Sequence, residues 1–159
     1  MAQKDVITKV KEALKEKILF WEEKSPTRHY FGVRRTDIVS VAKYIFEKTK
    51  ARFIIASGID TPKGIEILYH FSFDRQGGKI ITAKVLVSKE KCEIESIAPV
   101  IPGAAWIERE IQDLLGVKFL NHPDPRPLLA AENWPEGFYP LRSEYRDEEF
   151  YKDSDKENK

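Results

Sequence analysis

Glu108-Arg109-Glu110, Asp113, His122, Asp124 and Arg126 crowd carboxylates, an imidazole and guanidiniums into one short stretch. Carboxylates beside an imidazole can pass protons when burial and neighbours tune their pKa values. An enzyme here would use Asp113, Glu108 or Glu110 with His122 as acid and base. Against that reading, an arginine between two glutamates is a common arrangement of structural ion pairs. Nothing in the chain resembles a nucleophile elbow, a phosphate-binding loop or a dinucleotide turn. A metal centre finds equally little support, because His29, His70 and His122 are far apart and no pair has the helical spacing of metal ligands. Cys92 is the only cysteine. It excludes an internal disulfide and any iron–sulfur cluster or zinc held wholly by this chain's thiolates. We therefore expect no catalytic, cofactor-binding or metal-binding residue in this chain. If it works among redox centres, its neighbours carry them.

These side chains need elements to position them. The segment after Pro102-Gly103 reads as a helix ending at Leu115, with Gly116 at the left-handed terminal position. Projected on that helix, Ile107, Ile111, Leu114 and Leu115 form the stripe for the core. Trp106, Arg109 and Asp113 lie about opposite, with Glu110 beside them. Arg109 and Asp113 are i,i+4 neighbours, as are Trp106 and Glu110. A tryptophan among charges off the core suits a partner interface, where Trp and Arg are enriched. The alternative is a solvated, ion-paired face. Downstream, His122-Pro123-Asp124-Pro125-Arg126-Pro127 alternates prolines, which fix φ and remove donors. Such a stiff segment loses little entropy on docking. It can equally be a rigid loop packed on its own domain.

The rest of the chain reads as α+β. A first helix is expected over Lys4–Trp21, where Val6, Val10, Leu14 and Ile18 recur every four, ended by Ser25-Pro26. Arg28–Val33 reads as a short strand. Thr36 fits as N-cap of a second helix, Asp37–Thr49. Phe53–Ser57 and Ile65–Phe73 read as strands, the latter on period two over nine residues, and Ile81–Val87 completes a hairpin through Arg75-Gln76-Gly77-Gly78. Ile94–Ile97 adds a further edge. The expectation is one domain over 1–145: a mixed, mostly antiparallel sheet of four to five strands with covering helices. Phe53, Ile55, Ile67, Phe71, Ala83 and Val85 are its core candidates. An extended, Pro-rich C-terminal segment follows, and then a charged, frayed tail over 146–159.

At this point the motif segment, 106–145, acquires a second meaning. Glu108-Arg109-Glu110, Asp113-Leu114-Leu115, His122, Arg126 and Leu128 stand at the spacings of the signature of the respiratory complex I 30 kDa subunit family, which the chain therefore resembles. Asn133-Trp134 and Tyr139-Pro140-Leu141-Arg142-Ser143-Glu144-Tyr145 are similar to that family's Asp-Trp and Pro-Leu-Arg-Lys-Asp-Tyr ending, departing at Asn133 and Ser143. The resemblance implies a cofactor-free scaffold subunit in the peripheral arm of a membrane-bound, ion-translocating redox complex. Its partners would be a hydrogenase-like large subunit and a cluster-bearing small subunit, which hold the iron–sulfur clusters and, in hydrogenases, nickel–iron. Read with the segment's chemistry, it makes Trp106, Glu108, Arg109, Glu110, Asp113, His122, Asp124, Arg126, Trp134, Leu141, Arg142 and Tyr145 the partner interface.

Composition narrows the setting. With 27 Lys and Arg against 26 Asp and Glu, the chain has no basic surplus for nucleic acid. The run Ile97–Ile107 is broken by Pro99, Pro102 and Gly103 and is too short to span a membrane. The N-terminus has no apolar signal core. We expect a cytoplasmic chain that meets the inner face of the membrane only through its complex. Three Asn, three Gln, one Met and one Cys beside so many charges suggest a thermophile. With the short chain, that favours an archaeal membrane-bound hydrogenase or sulfane reductase. The alternatives are the C-type subunit of a quinone-reducing complex I and a stand-alone interaction module.

Overall fold

The computed structural model describes residues 5–145; Lys4 and the expected tail over 146–159 lie outside the described residues. In chain order the elements are α1 (Val6–Leu14), β1 (Ile18–Ser25), β2 (Arg28–Val33), α2 (Ile38–Lys43), β3 (Arg52–Thr61), β4 (Gly64–Phe73), β5 (Lys79–Val87), β6 (Glu93–Glu95), α3 (Ala105–Leu115) and β7 (Lys118–Leu120). Five strands form one sheet in the order β1-β2-β5-β4-β3. All its pairs are antiparallel except β2–β5, which is parallel. The α+β, single-domain expectation holds, as does the hairpin of β4 and β5, with Ile67 opposite Val85 and Phe71 opposite Ile81.

The sheet's inner face is set by period two. Phe31, Ile65, Ile67, Tyr69, Phe71, Ile81, Ala83 and Val85 are all fully buried. They share one core with Val6, Val10 and Leu14 of α1, Ile38 and Val41 of α2, and Ile111 and Leu115 of α3. Helices therefore cover one face. The opposite face, by register, carries Phe20, Ile55 and Leu86, each about half exposed. Among the described residues no helix is long and apolar enough to cross a membrane.

Four expectations are corrected. The first helix stops at Leu14, and after one tight turn Ile18-Leu19-Phe20-Trp21 opens β1. Four consecutive large apolar residues suit a strand edge better than a one-sided helix, and Trp21 stacks on Phe31 of β2 at 5.2 Å. Asp37, not Thr36, is the residue before the second helix, and its carboxylate accepts from Arg34 Nε at 2.8 Å instead of capping. That helix widens into a π turn over Tyr44–Lys48. Third, Ile55 is 45% exposed and is no core residue. A bulge between Phe53 and Ile55 adds one residue to β3, so Ala56 takes the inward position and Ile55 turns to His70 on the outer face. Finally, residues near Ile94 do not extend the main sheet. β6 pairs in parallel with the unanticipated β7, with Ile94 opposite Phe119.

Candidate functional site

The motif segment is built on α3. Its C-terminus ends as the sequence suggests: Gly116 has φ 72° and donates its N–H to the Gln112 carbonyl. A Cβ at Gly116 would lie 2.5 Å from the Tyr139 ring, so close packing as well as the left-handed turn requires glycine there. The last carbonyls of α3 are satisfied by the C-terminal segment. Leu141 N–H donates to the Leu114 carbonyl at 3.0 Å, and Arg142 Nε donates to the Leu115 carbonyl at 2.8 Å. Arg142 also lies over the Tyr139 ring at 4.8 Å and reaches the Cys92 sulfur at 3.6 Å. Ser143 is held from the sheet side, its N–H and hydroxyl both donating to Asp60 Oδ2 at 2.7 Å, with Lys89 Nζ 2.5 Å from Oδ1.

Glu108 lies on the inner side of α3 and has no exposure at all. Its carboxyl accepts from the Ser96 hydroxyl and from the Ile97 N–H at 2.8 Å, bracing the segment after β6 against the helix. His122 Nε2 is 3.7 Å away, outside hydrogen-bond range. That nitrogen donates instead to the Ala105 carbonyl at 2.9 Å, while Nδ1 accepts the Asp124 N–H at 3.0 Å. The two partners assign the ring proton to Nε2. Burial pushes the Glu108 pKa up to about 7, against the opposing pull of the Ser96 hydroxyl and the Ile97 and Ala98 amides. The Tyr69 hydroxyl, buried without a hydrogen-bond partner among the described residues, is pushed well above its usual value by burial and then by the nearby Glu108 charge.

Arg109 and Asp113 do not pair with each other. Arg109 forks into the following loop: Nε donates to the Arg126 carbonyl at 2.7 Å, one terminal nitrogen to the Pro127 carbonyl at 2.9 Å, and the other to Asp124 Oδ2 at 3.3 Å. Asp113 Oδ2 accepts three successive backbone N–H groups, Leu128 at 2.8 Å, Leu129 at 2.7 Å and Ala130 at 3.1 Å. Asp124 also chelates Arg126 at 2.7 and 2.8 Å, which holds its carboxyl well below the ordinary carboxylate range. The proline-rich loop is thus shaped by α3, as the rigid-loop alternative in the sequence allows.

The twelve residues expected at an interface therefore divide. Glu108, Asp113 and His122 are buried inside the chain. Arg109 and Arg142 are mostly enclosed and bonded to backbone. Trp134 and Tyr145 tie the terminal segment to itself, through Trp134 Nε1 to the Phe138 carbonyl and the Tyr145 hydroxyl to the Gly137 carbonyl. Trp106 is 71% exposed, Leu141 about half exposed, and the Arg126 side chain is open to solvent. Glu110 shares this outer side and Asp124 its edge. The histidines do not converge: His29 packs beside Trp21, and His70 bonds Thr82 on the outer sheet face. Among the described residues no three His, Cys, Asp or Glu side chains gather as a metal site would need. Sequence reasoning missed Ser96, Tyr69 and Asp60, whose partners are brought in by tertiary packing and leave no local signal.

The α+β sheet, the braced α3 and its clamped loop correspond to a known family. Residues 31–151 match the family described as respiratory-chain NADH dehydrogenase, 30 Kd subunit, and the chain belongs to it. It is 34% identical over 134 residues to the C-type subunit of NADH-quinone oxidoreductase from Chloroherpeton thalassium, covering 81% of this chain and 55% of that protein. It is 33% identical over 110 residues to formate hydrogenlyase subunit 5 of Escherichia coli, covering 67% of this chain and 19% of that one. The chain thus spans about half the length of the first relative and a fifth of the second. Among solved structures, the membrane-bound sulfane sulfur reductase, an archaeal respiratory membrane complex, contains a chain that superposes with a TM-score of 0.81. That match has 20% identity and covers 96% of this chain and 89% of that one, a likeness of fold.

Proposed function

We propose that this chain is a non-catalytic scaffold subunit in the peripheral, cytoplasmic arm of a membrane-bound, ion-translocating redox complex. It would bind a hydrogenase-like large subunit and adjoin a cluster-bearing small subunit, which carry the iron–sulfur clusters and any nickel–iron centre. The observation that carries this reading is the platform on α3. Arg109 and Asp113 lock the 124–130 loop, and beside it Trp106 stands exposed with no role in the chain's own core. A large exposed aromatic next to a rigid edge is what a docking hot spot requires. An archaeal hydrogenase or sulfane reductase is the assembly we favour, on fold likeness and thermophile-like composition. A second reading, the C-type subunit of a quinone-reducing complex I, is favoured by the identity to the Chloroherpeton protein.

The test is purification of the tagged chain from its native cells. Iron–sulfur clusters should co-elute, with nickel if the assembly is a hydrogenase. Quinone reduction by the purified assembly would select the second reading, and a chain eluting alone would refute the scaffold. In the same cells Trp106→Ala should abolish incorporation while changing the stability of the isolated chain by less than about 0.5 kcal/mol. Equal incorporation of the variant would remove Trp106 from the interface.

A further inference from the structure

A groove of about 750 Å³ lies between the C-terminal end of α3, the start of β7 and the loop over 125–139. Its walls include Pro125, Pro135, Trp134 and Tyr139. Two exposed carboxylates, Glu132 and Glu136, line it, and neither meets a cation or a hydrogen-bond donor among the described residues. The buried Asp113 adds a third negative charge, against the single amine of Lys118. An aromatic wall beside unpaired acids is the arrangement that binds a guanidinium or ammonium, by ring face and by charge together. The chain already uses cation–ring contact twice, with Lys11 over the Trp21 ring and Arg142 over the Tyr139 ring. The groove's walls are stiffened by prolines and by the Asp113 and Trp134 hydrogen bonds, so a segment entering it meets a preformed site.

We propose that this groove is a docking site for a cationic segment, arginine- or lysine-bearing with an apolar side chain between its charges, from a partner subunit. The chain's own C-terminal residues fit poorly. Residues 146–159 carry six acids against four bases, and Asp147, Glu148 and Glu149 come soon after Tyr145. Their charge would repel Glu132 and Glu136. The proposal builds on the scaffold reading for the source of the segment, but its test needs only the isolated full chain, so failure of either is seen separately.

The probe is a short peptide, acetyl-Gly-Arg-Leu-Arg-Gly-Arg-amide, titrated into the isotope-labelled full chain and followed by amide NMR. Its counterpart with Glu for Arg is the control. The arginine peptide should move the Gly116, Ala131 and Gly137 amides and the Trp134 indole N–H, less so at raised salt. The double variant Glu132→Gln/Glu136→Gln should bind about tenfold more weakly, with an unchanged melting temperature. Three results would overturn the proposal. These are resonances elsewhere moving instead, equal binding of the glutamate peptide, and a chain ending at Tyr145 whose groove resonances already differ from those of the full chain. The last result would make the tail the occupant.

Discussion

Replacing Glu108 by Gln tests the account of the α3 brace most directly. The carboxyl is wholly buried, accepts bonds from Ser96 and Ile97, and has no cation within bonding distance, because His122 donates its Nε2 proton to the Ala105 carbonyl. Its folded pKa of about 7 stands above the ordinary 4.5. The sign follows from linkage. Below pH 4.5 both folded and unfolded chains hold the proton, and the group does not bias folding. As pH rises from there to 7 the unfolded chain gives up its proton first, so stability falls, and above 7 the loss is constant. The difference between those two values, at 1.36 kcal/mol per unit, makes the loss about 3 kcal/mol. A domain of this size has in total on the order of 10 kcal/mol, so the effect is measurable. Gln keeps the shape, accepts from Ile97 and offers Ser96 a donor, but cannot ionise. Urea unfolding of both proteins between pH 4.5 and 8 should show the variant gaining on the wild type by about 3 kcal/mol across that range. Comparing the two cancels the other carboxylates. A difference that stays flat, or shrinks with rising pH, would mean that the buried carboxylate is charged throughout, and the reasoning would fail.

Three other perturbations follow from the same geometry. Asp113→Ala leaves the Leu128, Leu129 and Ala130 N–H groups without their acceptor and should destabilise the chain by about 2–3 kcal/mol, with hydrogen exchange at those three amides accelerated most; unchanged exchange there would separate Asp113 from the loop. For Asp60, burial raises the pKa but Lys89 and Ser143 outweigh it and hold the group well below 3.8. Its stabilisation is therefore present above 3.8 and lost as pH falls, so Asp60→Asn should be less stable at neutrality, by an amount that shrinks in acid denaturation. Gly116→Ala places a Cβ against Tyr139 at a left-handed φ and should lower stability by about 1–2 kcal/mol, read by thermal unfolding.

Where one-dimensional pattern and tertiary packing agree, the fold is legible. Ile65–Phe73 carries an apolar residue at every second position, and its partner Ile81–Val87 does the same, so the hairpin is readable and Ile67, Phe71, Ala83 and Val85 emerge as core despite the extra apolar Leu68 and Leu86 on the outer face. The failures have physical causes. In α1 the every-fourth pattern runs on into Ile18, but the chain switches there to a strand in which Trp21 stacks on Phe31. A bulge at β3 shifts parity by one, and no composition marks it, so pattern alone puts Ile55 on the wrong face. The two-stranded β6–β7 sheet joins segments more than twenty residues apart, through only three pairs, and short parallel pairing leaves almost no periodic trace.

For the motif, residue types and spacing can be read while directions cannot. Glu108, Arg109 and Asp113 sit on one short helix, and a projection puts Asp113 outward because it lies about opposite the apolar stripe. The 128–130 loop reverses that by folding back over the side chain and presenting three donors to it, which makes burial of the carboxylate favourable. Arg109 is satisfied by the same loop's carbonyls, and His122 returns to the start of the helix at Ala105. Fixed spacing between 108 and 126 is then what a loop closed onto its own helix demands: shift His122 or Arg126 by one residue, and the bonds to Ala105 and Asp124 cannot form together. The residues such closure leaves unconsumed include Trp106, Glu110 and the unpaired carboxylates of the groove, and in the proposed scaffold role these are the side chains left to meet another subunit.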